Sequence, residues 1–135
     1  MRYKITVEYE GTHLVGWQKQ KDGASAQEFL EKAILGFSHQ TTEVFGAGRT
    51  DAGVHALAQV AHFDLDADLS EYKIMESLNA LLRELQAPVS VLQAEKVSDD
   101  FHARFSAVGR GYIYRILNRR GPSPLLVDRV WRVPY

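Results

Sequence analysis

The 135-residue chain has no cysteine and a formal net charge of −1, which excludes disulfides and cysteine-built zinc sites and fits a cytoplasmic protein. Its 45% hydrophobic content suits one globular domain, and no apolar run approaches the length of a bilayer span. The charge is uneven: residues 63–100 carry net −6, whereas residues 101–135 carry seven arginines and one aspartate, net +6.

Met1 leads straight into strand-like sequence, so no secretory signal is expected. From Arg2 to Glu10 the residues alternate, with Tyr3, Ile5, Val7 and Tyr9 on one face, the period of a half-buried strand. Residues 11–23 are loop-like and set Trp17 among Lys19, Lys21 and glutamines. Two roles stay open for Trp17: stacking on a nucleic-acid base or packing back onto the domain. Lys19 and Lys21 are read as solvent-facing and candidate RNA contacts. Ser25 and Glu28 have capping-box spacing, and an amphipathic helix is expected over 26–37. A strand over 43–47 enters a glycine-rich stretch, and a strand over 57–64 leaves it.

Asp64, Asp66 and Asp68 form an acidic run without the glycine and terminal glutamate of a calcium loop. It reads as the approach to a helix over about 70–85, capped by Asp68 or Ser70, with Ile74, Leu78, Leu81, Leu82 and Leu85 as its buried stripe. A strand then starts at 89–92. A further strand is expected over 108–117, placing Tyr112, Tyr114 and Ile116 on one face, and a short one over 130–133 after the turn at 121–124. The order β-α-β-β-α-β-β predicts an α+β, ferredoxin-like or RRM-like antiparallel sheet. Two helices cover one face and leave the other for a ligand or second domain.

The stretch Gly46-Ala-Gly-Arg-Thr-Asp-Ala-Gly-Val-His-Ala56 places Arg49, Thr50 and Asp51 in a small-residue loop between strands. Such loops often carry binding or catalytic groups. The plainer alternative is a turn in which the Asp51 side chain bonds its own backbone.

This motif resembles the signature of the TruA-type tRNA pseudouridine synthases. The similarity extends to Tyr9-Glu-Gly-Thr12, Gly16-Trp-Gln-Lys-Gln20, Ser98-Asp-Asp-Phe-His-Ala-Arg-Phe-Ser-Ala107 and Tyr112-Ile-Tyr114, in the family's order. The resemblance implies an isomerase that turns uridine into pseudouridine in the tRNA anticodon stem-loop, at positions 38–40 in the family. It needs no metal and no organic cofactor, and it works as a homodimer. It implies Asp51 as the catalytic carboxylate, acting either through a covalent adduct or by taking a proton from the ribose. It also implies that Tyr112 stacks on uracil, that Arg49 helps hold a flipped-out base, and that Arg104 binds phosphate or orients the loop. His55 and His102 lie within the motifs and are read as structural hydrogen-bonding groups.

Two departures stand out. The family usually has two adjacent basic residues before the tyrosine; here Arg110-Gly111 leaves one RNA contact. Family members are also close to twice this length, with the cleft between two α+β halves, so residues 1–135 read as the N-terminal half. A second reading is a non-catalytic RRM-like RNA-binding module. A third, a metal-dependent phosphoesterase using Asp64, Asp66 and Asp68, lacks a supporting histidine cluster.

Overall fold

A computed structural model describes residues 1–133. The alternating segment at the start forms β1, Arg2–Tyr9. Its apolar face, Tyr3, Ile5, Val7 and Tyr9, is fully or almost fully buried. Helix α1 spans Ala26–Ser38, and its first turn is capped by the Ser25 hydroxyl, which accepts from the Glu28 N–H. It ends at His39, whose N–H donates to the Leu35 carbonyl and whose left-handed backbone (φ 59°) turns the chain out of the helix.

Strand β2 is only Phe45–Gly46, shorter than the expected 43–47. The backbone of Val44 is taken by α1 instead: its N–H donates to Glu31 Oε2 at 3.1 Å, and its carbonyl accepts from Gln27 Nε2 at 3.1 Å. Val44 therefore needs no ladder partner. Strand β3 is Ala56–Asp64, α2 is Glu71–Glu84 with Ser70 as its cap, and β4 is Val89–Val97.

These strands form one antiparallel sheet in the order β2-β3-β1-β4. Leu30, Ala33 and Ile34 of α1 share a core with Ile74, Leu78 and Leu82 of α2 and with the apolar face of β1. Both helices therefore cover the same face, as the patterns predict. The buried stripe of α2 is narrower than expected: Leu81 is half-buried and Leu85, the C-cap, is exposed. Where the β1–β4 register slips between Thr6 and Val7, the Asn79 amide serves both backbone groups of Val91, donating to its carbonyl at 2.9 Å and accepting its N–H at 2.8 Å.

The expected strand over 108–117 is corrected. Only Ile116–Asn118 is a strand, β5, and it pairs in parallel with β6, Trp131–Val133, in a separate two-stranded ribbon. Residues 108–115 make no ladder, and Tyr112 and Tyr114 are 61% and 86% exposed. The alternation there marks side-chain pattern, but Gly109 and Gly111 weaken a strand, and Arg110 fastens this segment through its side chain. The acidic run is also taken up locally. Asp64 ends β3 in an ion pair with Arg2 (2.8 Å), and Asp68 pairs with Lys96 at 2.6 Å.

The sheet's second face is partly covered. Residues 101–106 fold over β2 and β3, where Phe45, His62, Phe101, His102 and Phe105 form a chain of ring contacts.

Candidate active site

The loop from Gly46 to Ala56 follows β2 and runs into β3. Its entry lies directly on Trp17, since a Cβ on Gly46 would come within 2.6 Å of the indole. Trp17 is 3% exposed and packs 6.3 Å from the Tyr9 ring. Of its two open roles, the geometry is that of packing: the indole supports the loop from below. Lys19 donates to Glu31 at 3.1 Å, which raises its pKa, whereas Lys21 is exposed.

The apex is held by main-chain bonds. The Thr50 carbonyl accepts from Trp17 N–H at 3.1 Å, and the Leu14 carbonyl accepts from Gly53 N–H at 3.3 Å. Gly16 makes this approach possible: its φ is +110°, and a side chain there would press within 2.2 Å of the Thr50 oxygen. The turn at Asp51 is closed by its main-chain carbonyl, which accepts from Val54 N–H at 3.1 Å. The carboxylate is exposed and takes no hydrogen bond among the described residues. The self-bonded turn that the sequence allowed is therefore not formed. Arg49 is likewise exposed and makes no ion pair among the described residues.

Beneath the loop sit polar groups that the motif did not flag. The Tyr9 hydroxyl lies 2.7 Å from Thr50 Oγ1, and Gln59 Nε2 donates to the Gly48 carbonyl at 2.6 Å. Burial raises the Tyr9 pKa, so the group stays a phenol. The available signal was positional: Gln59 lies on the strand that leaves the loop, and Tyr9 ends the strand paired with it.

A cleft of about 540 Å³ opens beside this loop. Arg49 from the loop, Arg104 from the 98–107 motif, and Arg110 and Tyr112 beyond it all line the cleft, with Phe45 and Phe105 as apolar walls. Asp51 is not among the lining residues; it stands on the same loop, two residues past Arg49. Tyr112 reaches back over the loop, its hydroxyl 3.6 Å from where a Cβ of Gly48 would lie. The Arg104 guanidinium lies 6.0 Å from the Phe105 ring. Arg110 is committed to main-chain oxygens, donating to Ala47 and Arg104.

Both motif histidines make structural bonds. His55 Nδ1 accepts from Gly11 N–H at 2.8 Å, and its Nε2 lies 2.6 Å from the Asp128 carbonyl. His102 Nδ1 accepts from Arg104 N–H at 3.1 Å. A third histidine, His62, went unremarked in the sequence although it sits between apolar residues of β3. It is 1% exposed and accepts the Ala103 N–H at 3.0 Å. Burial, with Arg2 and His102 nearby, lowers its pKa to about 4.

A family model described as tRNA pseudouridine synthase matches residues 5–106. The tRNA pseudouridine synthase A of Rhodospirillum centenum is 54% identical over 132 residues, covering 98% of this chain and 53% of that protein. That of Ehrlichia chaffeensis is 52% identical over 134 residues, covering 98% and 54%. That of Zymomonas mobilis is 48% identical over 132 residues, covering 98% and 53%. The chain thus spans about half the length of the curated relatives it matches.

Proposed function

This chain belongs to the tRNA pseudouridine synthase family, and on that premise we propose that it forms one half of an enzyme isomerising uridine to pseudouridine in the tRNA anticodon stem-loop, at positions 38–40. The observation that best supports this reading is the meeting of separate motifs at one cleft. Arg49 comes from the glycine loop, Arg104 from the second motif and Tyr112 from the segment after it, and all three line the same opening.

The target uridine must leave its stack to reach this cleft. Arg49 and Arg104 present guanidinium groups suited to the phosphates of the distorted strand. The exposed ring of Tyr112 offers a stacking face for uracil. Asp51 stands on the loop as an uncommitted carboxylate. In the reaction the C1′–N1 bond breaks, uracil turns while bound, and a C1′–C5 bond forms as the C5 proton is lost. Asp51 assists the cleavage, either by adding to the sugar or by removing a ribose proton. Because Asp51 lies beside the lined cleft, we read the active cavity as completed by the part of the family's length that lies outside this chain; the family resemblance is what supports a homodimer in the cytoplasm as the working unit.

The test is direct. The full-length protein is incubated with unmodified tRNA, and pseudouridine is mapped by base. Conversion confined to positions 38–40 is the expected result. Tight tRNA binding without any pseudouridine would instead favour a non-catalytic RNA-binding module.

A further inference from the structure

Tyr9 is the last residue of β1, and its ring is 2% exposed. The register against β3 slips there: Val7 faces Gln59, but Tyr9 faces Ala56. Such irregularities re-aim side chains near functional loops. The result is a phenol at the sheet's end with its hydroxyl 2.7 Å from Thr50 Oγ1.

Beside it, Gln59 Nε2 holds the Gly48 carbonyl at 2.6 Å. Residues 48 and 50 are therefore both fastened from below, and Arg49 projects between them. A buried hydroxyl must keep a partner, so this network resists rearrangement.

We infer that Tyr9 is a positioning residue: its hydroxyl holds the Thr50 side chain on one side of Arg49 while Gln59 holds the Gly48 carbonyl on the other, and together they set the direction of Arg49 and Asp51. This rests on the synthase reading for its effect on turnover, but not for its effect on the loop. Tyr9 does not touch substrate. A misplacement of about 1 Å in a reacting group can cost as much as a hundredfold in rate, so a lost tether matters even where the fold survives.

The experiment compares Tyr9→Phe, Thr50→Val and the double variant in the full-length protein. Pseudouridine formation gives kcat and KM, and amide exchange follows peptides covering residues 46–54 and β1. In both single variants kcat falls about tenfold while KM stays within about twofold, and exchange quickens over 46–54 but not in β1. The double variant is no worse than the poorer single one, because both remove the same bond. Parental exchange with parental kcat overturns the inference. So does quickened exchange throughout the core, which marks general destabilisation. A parent that makes no pseudouridine refutes the synthase reading, and the exchange data still decide whether Tyr9 holds the loop.

Discussion

The guanidinium of Arg110 grips the main-chain carbonyl of Ala47 with two donors, Nε at 3.1 Å and Nη2 at 2.9 Å. The same Nη2 reaches the Arg104 carbonyl at 3.3 Å. One side chain thus joins the entry of the glycine loop to the segment that carries Tyr112.

That grip separates two roles for Arg110. As a phosphate contact, it would be replaced well by lysine. As a tether it would not, because an ammonium cannot reproduce the planar fork. We expect Arg110→Lys and Arg110→Met to lower turnover alike, with unfolding free energy reduced by no more than about 1 kcal/mol, since the bonds are exposed. Steady-state kinetics beside chemical denaturation would check this. Full rescue by lysine would assign Arg110 to RNA.

Arg49 and Arg104, which make no ion pair among the described residues, should appear in the salt dependence of tRNA binding. Arg49→Gln and Arg104→Gln should each reduce the slope of log affinity against log salt by about one unit. Arg2→Gln serves as the control. Arg2 is spent on Asp64 and on the carbonyls of Asp99 and Phe101, so its loss should leave the slope unchanged.

Much of this arrangement was legible in the sequence, for identifiable reasons. Tyr3, Ile5, Val7 and Tyr9 alternate because one face of β1 is buried, and Ile74, Leu78 and Leu82 repeat because one stripe of α2 is buried. The segment 108–117 misled because alternation reports side-chain pattern and not the presence of a pairing strand. Val44 misled in the same sense for another reason, since the side chains that satisfy its backbone come from α1. The glycine loop was visible by composition, but its support by Tyr9 and Gln59 depends on the register of β1 against β3. No local pattern encodes that register.

His62 predicts a pH effect with a definite sign. Its pKa is about 4 when folded and 6.5 when free. Between those values the unfolded chain binds a proton that the folded chain refuses. Stability contributed by neutral His62 is therefore complete above about pH 6.5 and is lost as pH falls toward 4, by roughly 3 kcal/mol at most. Urea denaturation at pH 7, 6 and 5 would show it. His62→Asn, which keeps an acceptor for Ala103 N–H but cannot titrate, should flatten the dependence in that window.

Gly16→Ala tests the close approach beneath the glycine loop. The positive φ alone costs about 1–3 kcal/mol for a residue with a Cβ. The new methyl would also press within 2.2 Å of the Thr50 oxygen. We expect a lowered melting temperature and faster amide exchange at residues 50–53. An unchanged melting curve would mean that the loop does not rest on Gly16.

Asp51→Asn in the full-length protein tests the central claim most directly. Asparagine keeps the size of the side chain and is at home in turns, but it lacks the negative charge and basicity that glycosidic cleavage needs. The Asp51 carboxylate takes no hydrogen bond among the described residues, so the fold should not register the change. The measurement follows pseudouridine in an anticodon stem-loop substrate, alongside thermal melting and a tRNA titration. Isomerisation should be abolished with melting and binding close to the parent; near-normal turnover by the asparagine variant would contradict a catalytic role for Asp51.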